Sequence, residues 1–235
     1  MDPDSEPSRA PRLIALVGFA VLAAVTLTRA RPPRGFVAGG QLAWGTITNR
    51  TGDARLAPAA LGAIDIALSQ TGALRLAADR ASPGGFHLDL VVEPAERGVR
   101  LLGIVRDATA NEVDTVATVT APFLAAVDGV ADRVRVKFGE GRTERARASV
   151  VVSRLGSGSI DALAAYGEAL RARARGADSD AVAAGRRAIA ADSGFAQAWL
   201  LAGLAALGTR NPDGELWIAR GKDLLGRGPR KGRLY

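Results

Sequence analysis

Cysteine is absent from this chain of 235 residues, and histidine occurs once, at His87. Without cysteine there are no disulfides, no thiolate nucleophile and no cysteine ligands for zinc or iron–sulfur clusters. A single histidine leaves little scope for imidazole metal sites or for general-base catalysis. His87 alternates with apolar residues in an extended segment, so we interpret it as a solvent-facing strand residue. The composition therefore disfavours an enzyme, and we predict no catalytic residues, no cofactor and no metal.

Lysine is scarce too, so arginine carries most of the net charge of +7. The arginines are spread along the chain, except for a basic cluster at residues 227–233. A spread of this kind is typical of a solvated basic surface, whereas a nucleic-acid interface concentrates its charge on one face. We predict no nucleic-acid partner.

The motifs of the common nucleotide-binding and hydrolase classes are missing as well. Gly221 and Lys222 lack the earlier glycine and the following Ser or Thr of a phosphate-binding loop. The Gly-Ser run from Gly156 to Ser159 lacks the third glycine of a dinucleotide fingerprint and is better interpreted as a linker. Asp178 and Asp180 suit the first turn of a helix better than a cation site.

One long apolar run stands out, Leu13–Thr28, with sixteen residues free of charge and arginines at both ends. It is slightly shorter than the roughly 20 residues that span a bilayer, but flanking arginines extend the span by snorkelling. The alternative is a cleaved signal peptide, whose apolar region is usually only about 7–15 residues long. We predict an uncleaved transmembrane helix within residues 11–30, contacting the lipid bilayer through this run.

The arginines around this run bear on orientation. Two precede it and three follow it closely (Arg9 and Arg12; Arg29, Arg31 and Arg34). By the positive-inside rule, the one additional arginine after the run slightly favours a cytoplasmic location for the rest of the chain, its body.

The body that follows begins with alternating strands and helices. We predict strands at 36–48, 74–77, 86–92, 99–105 and 115–119, helices at 59–70 and 122–138, and one more strand at Val150–Val152. A strand–helix–strand opening, an antiparallel meander and a covering helix follow from this order. The class is α/β (α+β), with the sheet shielded by helices mainly on one side.

Everything after Ser159 is helical in pattern, with predicted helices at 160–173, 179–191, 195–207 and about 213–226. Ser159 and Asn211 are the predicted N-caps of the first and last. Tyr166-Gly167 on the first helix is echoed by Trp199 and Gly203 on the third, which fits a 34-residue helix–turn–helix repeat. An ordinary helical hairpin bundle is the alternative.

These elements define the predicted domain organisation along the chain. We predict an N-terminal tail at 1–10, the transmembrane anchor at 11–30, a linker at 31–35, an α/β domain at 36–153, a linker at 154–159, helical repeats at 160–226 and a basic tail at 227–235.

The segment from Trp44 to Asp53, followed by a helix and Gly72–Leu76, resembles the opening of TolB-like N-terminal domains. Arg100–Ala121 and Phe123–Gly139 resemble the later strands and closing helix of that family. The segments 159–167 and 188–196 resemble the tetratricopeptide repeats that often follow. Around Ala77–Gly85 the chain is shorter than the family pattern, and its second repeat is barely completed. The resemblance implies a non-catalytic domain that works through protein contacts in the periplasm. The arginines that flank the apolar run slightly favour the opposite orientation, with a cytoplasmic body.

We therefore predict a bacterial protein of the cytoplasmic (inner) membrane, single-pass, with a periplasmic body. It serves as a scaffold or accessory subunit of a larger membrane protein complex, whose other subunits are its partners. The alternative is a periplasmic sensor or transport accessory protein that binds a small ligand. The predicted partner-binding residues are those of the last helix and the basic tail: Leu216, Trp217, Leu224, Leu225, Arg227, Arg230, Lys231, Arg233 and Tyr235. A tail that folds back to cap this helix remains an open alternative.

Overall fold

The computed structural model describes residues 40–72, 74–77, 85–107, 112–120, 122–148 and 150–227. The strands are β1 Gly40–Asn49, β2 Leu74–Ala77, β3 Phe86–Ala95, β4 Gly98–Asp107 and β5 Glu112–Thr120. The helices are α1 Leu56–Leu68, α2 Phe123–Lys137, α3 Arg142–Ala148, α4 Val152–Leu155, α5 Ile160–Ala174, α6 Asp178–Ala191, α7 Ala196–Gly208 and α8 Gly214–Arg227.

The predicted membrane anchor, Leu13–Thr28, lies outside the described residues. Within the part of the chain that the structure describes, no helix combines the length and apolar character needed to cross a membrane.

The strands form one mixed sheet in the order β2-β1-β3-β4-β5. β1 pairs in parallel with both β2 and β3, and the remaining pairs, β3 with β4 and β4 with β5, are antiparallel. The parallel pair β1–β2 needs a crossover, which α1 supplies, whereas the antiparallel pairs need only short turns. The predicted α/β sheet with covering helices, its strand–helix–strand opening and its antiparallel meander are confirmed.

The sheet buries one face under α1 and α2. Alternate residues of β3 (Phe86, Leu88, Leu90 and Val92) are buried, while His87 and Asp89 between them are half-buried on the opposite face. Helix α2 contributes Val127, Val130 and Val134, at three- and four-residue steps, to the same core. The alternation of period 2 in the strand and of about 3.6 in the helix places both apolar sets in one layer.

Helix α1 lies between the sheet and α5, so the core continues from the sheet into the helices. Ten of its thirteen residues are buried, which leaves it hardly any solvent-facing side. A Cβ atom on Gly62 would lie 2.5 Å from the carbonyl oxygen of Leu163, and one on Gly167 would lie 2.0 Å from that of Pro58. The backbones of α1 and α5 therefore approach closely where each helix carries a glycine.

The segment 154–159, predicted as a linker, is packed against α1 and against the residues that connect α6 to α7. Gly156 lies against the side chains of Ile66 and Phe195. The Ser157 hydroxyl is buried and donates to Asp192 over 2.6 Å. Ser159 is the N-cap of α5 as predicted, because its hydroxyl accepts from the amide of Ala162.

The strand predicted at Val150–Val152 is wrong, because Val152 begins the short helix α4 instead. The Gln70 side chain occupies the hydrogen-bonding groups that a neighbouring strand would use. Its amide nitrogen donates to the Val150 carbonyl over 2.9 Å, and its oxygen accepts from the Val150 amide over 2.8 Å. An extended, apolar residue can thus satisfy its backbone without joining a sheet.

Candidate protein-interaction surface

Helices α7 and α8 form an antiparallel hairpin held together through glycines. Gly214 of α8 lies against Leu207 near the end of α7, and Gly221 lies against Leu200 toward its beginning. Between these points Ile218 packs onto Gly203. Missing side chains at three contact positions let the two backbones approach closely, which fixes which side of α8 is buried.

Exposed apolar side chains are concentrated on this hairpin. Among the described residues, six large apolar side chains are strongly exposed, and four of them lie on α7 or α8: Leu204, Leu207, Leu216 and Leu225. The other two, Val136 and Val151, lie in separate parts of the chain. Single exposed apolar residues are ordinary, but a cluster on one hairpin is the kind of surface that contacts another protein.

The four apolar residues predicted on the last helix lie at three positions around α8. Leu216 is turned about 200° from the contact residue Gly214, and it is 68% exposed. Trp217 and Leu224 are half-buried on one side of the helix, two turns apart. Leu225 lies near the end of the helix and is 48% exposed. The structure therefore brings Trp217 and Leu224 together and sets Leu216 apart from them.

The basic residues of the predicted surface are only partly within the described residues. Arg227 is exposed, and its Nε donates to Asp223 over 2.9 Å, while Arg220 donates to the same carboxylate over 3.1 Å. Asp223 therefore neutralises part of the basic end of α8. The four other predicted tail residues lie outside the described part of the chain: Arg230, Lys231, Arg233 and Tyr235.

The start of α8 also differs from the prediction. The helix begins at Gly214, and Asn211 with Pro212 forms the turn before it. The Asn211 carbonyl accepts from the Gly214 amide, and its side chain accepts from the Asp213 amide. Asn211 thus closes a side-chain turn before the helix instead of capping its first residues.

Sequence reasoning missed the leucines of α7. The helix carries leucines on several sides, so the apolar pattern does not indicate which are exposed. The available signal is the row of small residues Ala198, Ala202, Ala205 and Ala206, all of which are buried. A helix that packs through alanines leaves its leucines at i, i+4 and i+7 for another surface.

Asp65 and Tyr166 form a polar pair between α1 and α5, and burial raises the pKa of both groups. The Tyr166 hydroxyl, which is buried between α1 and α5, donates to the Asp65 carboxylate over 3.0 Å. Burial raises the pKa of Asp65 from 3.8 to about 6, although the hydrogen bond from Tyr166 acts in the opposite direction. Burial also raises the pKa of Tyr166 well above its usual value, as does the nearby carboxylate. The pair ties α1 and α5 together.

A shallow depression of about 440 Å³ lies at the beginning of α6, beside the end of α7. The candidate acids Asp178 and Asp180 line it, but Asp178 is paired with Arg173 over 2.7 Å. Helix α6 begins at Asp178, so both acids lie in its first turn, as predicted. Among the described residues, no three acidic or histidine side chains are grouped so as to hold a metal ion.

The sequence was also compared with known proteins. No protein-family model matches this chain, and no curated protein is significantly similar to it.

Proposed function

We propose that this chain is a non-enzymatic, membrane-anchored scaffold or accessory subunit that stabilises a larger bacterial membrane protein complex through protein contacts. Its partners are other subunits of that complex, and it acts through the hairpin of α7 and α8 together with the basic tail.

The observation that carries this proposal is the set of exposed apolar side chains around α8, the last helix that the structure describes. Leu216 is 68% exposed and Leu225 48% exposed on α8, where no further described helix covers them. Trp217 and Leu224 are half-buried on an adjacent side of the helix. Tryptophan with neighbouring leucines supplies the large apolar anchors that dominate binding energy in protein interfaces.

Charge supports a protein or membrane partner at the same end. Arg227 follows directly on the apolar residues of α8, and the sequence continues with Arg230, Lys231 and Arg233. A basic rim beside apolar anchors is complementary to an acidic protein surface or to anionic lipid headgroups. The apolar residues give affinity, and the rim steers the encounter.

The resemblance to TolB-like domains and tetratricopeptide repeats supports a body that works by contact in the periplasm. The consecutive helical hairpins are consistent with such repeats, which present surfaces to other proteins. In this proposal the apolar run Leu13–Thr28 anchors the chain in the cytoplasmic membrane.

Two changes test this surface. Replacing Trp217 with alanine is expected to weaken association by about 2 kcal/mol or more, because an anchor buried in the interface is lost. Deleting residues 227–235 is expected to weaken association by removing the basic rim. The measurement is quantitative mass spectrometry of subunits that co-purify with the full-length chain after mild detergent extraction.

Val136→Ala is the matched control, because Val136 is an exposed apolar residue on α2. It should leave the co-purified set unchanged. If the Trp217→Ala and deletion variants keep the far-UV circular dichroism of the parent and still retain every membrane partner, this end of the chain is not the docking surface.

A further inference from the structure

A second surface lies on the other side of the α7–α8 hairpin from Trp217. On α7, Leu200, Leu204 and Leu207 follow each other at four and three residues, so they lie along one side of the helix. Leu204 is 47% exposed and Leu207 is 45% exposed, while Leu200 leans onto Gly221. We refer to these three residues as the leucine ridge.

Two opposite charges on α8 flank the leucine ridge. Glu215 and Lys222 are both exposed, and seven residues separate them, which places them on one side of α8 about 10 Å apart. The contacts Leu207–Gly214 and Leu200–Gly221 fix the antiparallel register. Glu215 therefore lies near the Leu207 end of the ridge and Lys222 near the Leu200 end.

The handedness of the helices places these charges on the same side of the hairpin as the ridge. In a right-handed helix each residue turns about 100° further. Gly203 of α7 faces α8, and Leu204 is the next residue, so its side chain lies about 100° further round α7. Gly214 and Gly221 of α8 face α7, and Glu215 and Lys222 are the next residues, so their side chains lie about 100° further round α8. In an antiparallel pair these equal rotations carry all three side chains to one side, whereas Trp217 and Leu224 turn to the other.

The two charges lack partners within the part of the chain that the structure describes. Neither Glu215 nor Lys222 forms an ion pair there, whereas Arg220, Asp223 and Arg227 of the same helix are paired with one another. One acidic and one basic residue thus remain available on the flank of an exposed apolar ridge.

We propose that two copies of this chain associate through this face, with the leucine ridges antiparallel across a two-fold axis. Such a contact is isologous, so each interaction occurs twice. Reversing the direction of the second copy brings its Lys222 opposite Glu215 of the first, and its Glu215 opposite Lys222. Leu204, near the middle of the ridge, meets Leu204 of the other copy.

The charges also select this arrangement over the parallel one. If the two ridges ran parallel, the two-fold axis would run along them and place the two α8 helices on opposite sides of the interface, so neither Glu215 nor Lys222 would meet a charge of the other copy. When the face is rotated onto a second copy of itself, Glu215 and Lys222 each meet the opposite charge. This self-complementarity fits a second copy of the chain, because binding to an unrelated partner requires no such symmetry. This proposal concerns a different side of the hairpin from the docking surface above and does not depend on it.

Charge reversal in the full-length chain tests the proposal. Sedimentation equilibrium in a mild detergent is expected to show a dimer for the parent. Either Glu215→Lys or Lys222→Glu turns two attractive pairs into two repulsive ones and should raise the dissociation constant roughly tenfold or more. The double variant Glu215→Lys/Lys222→Glu should return to the parental value, because the pairs are restored with exchanged signs.

Mixing the two single variants is the most specific arm. The Glu215→Lys variant carries two basic residues on this face, and the Lys222→Glu variant carries two acidic ones. Both pairs across a mixed dimer are therefore attractive, so the mixture should form a heterodimer although neither variant associates with itself. Leu204→Glu should abolish the dimer, and Val136→Glu, at an exposed valine on α2, should not. Trp217→Ala should also leave the dimer intact, which separates this contact from the docking surface.

The proposal is overturned if the parent is monomeric at all concentrations reached. It is equally overturned if the single reversals leave the dissociation constant unchanged, or if the mixture and the double variant associate no better than the single variants.

Discussion

At the scale of single residues, the ionisation of Asp65 bears directly on the stability of the fold. Its carboxylate is enclosed between α1 and α5 and receives one hydrogen bond, from Tyr166. One neutral hydroxyl does not replace the water lost on burial, so the pKa of Asp65 rises from 3.8 to about 6. A raised carboxyl pKa means that the folded state prefers the protonated form. The stability that Asp65 contributes is therefore present below about pH 4 and is lost as the pH rises through about 6.

Replacing Asp65 with asparagine is expected to stabilise the protein at pH 8. The amide keeps an acceptor for the Tyr166 hydroxyl and removes the buried charge. The rise in the pKa of Asp65 corresponds to about 3 kcal/mol, so a gain of about 1–3 kcal/mol in the free energy of unfolding is expected at pH 8. Urea denaturation at pH 4, 6 and 8 measures it.

The difference between Asp65→Asn and the parent should shrink as the pH falls and vanish near pH 4. A variant less stable than the parent at all three pH values would mean that the carboxylate, not the neutral acid, supports the contact between α1 and α5.

At the scale of secondary-structure elements, the contact between α1 and α5 depends on glycine. The amide nitrogens of Gly62 and Gly167 each lie 3.2 Å from the position that a Cβ atom on the other glycine would occupy. Neither helix can bear a side chain at this crossing without moving away from the other. Because α1 also packs on the sheet, such a movement disturbs both of its interfaces.

Gly167→Ala is expected to lower the free energy of unfolding by about 2 kcal/mol, since the new methyl group would lie against the Pro58 carbonyl. Alanine is intrinsically favoured in a helix by about 1 kcal/mol, so this loss is what remains after that gain. Gly226→Ala is the control, because Gly226 is also helical but has no atom within 4 Å of its Cβ position. It should be neutral or slightly stabilising. Equal effects at the two positions, measured by urea denaturation, would contradict the tight crossing.

The elements that could be predicted from the sequence are those whose periodicity is local. Alternating residues identify β3, and three- and four-residue steps identify α2. The contacts between elements could not be predicted from local periodicity. Gly62 and Gly167 are far apart in the chain, and neither glycine indicates which residue it will contact. Likewise, the pattern at Val150 does not reveal that Gln70 satisfies its backbone.

The candidate surface was predictable to a similar extent. Trp217 and the leucines of α8 could be identified because they are large apolar residues in the last predicted helix, directly before the basic run 227–233. Leu204 and Leu207 could not, since their exposure depends on α6 and α8 packing against the alanines and glycines of α7.

At the scale of the whole molecule, the described residues form one body, and most of their strongly exposed large apolar side chains lie on the α7–α8 hairpin. A continuous core joins the sheet, α1, α5 and Phe195 before α7. Helix α7 joins this core through Ala198, and the α7–α8 hairpin packs through small residues and leaves several larger apolar side chains exposed. In the proposed scaffold role, a rigid body of this kind would hold the exposed apolar side chains of the hairpin in a fixed position relative to the predicted membrane anchor.

In the proposed function, the exposed side of α8 contacts another subunit of the membrane complex. Site-specific photo-crosslinking in intact membranes detects such a contact. A photoreactive phenylalanine analogue would replace Leu216, or Val151 as a control that is also strongly exposed but precedes α4. We expect a discrete crosslinked product with a second, different protein from position 216 and none from position 151. No product from position 216, or the same products from both positions, would contradict it.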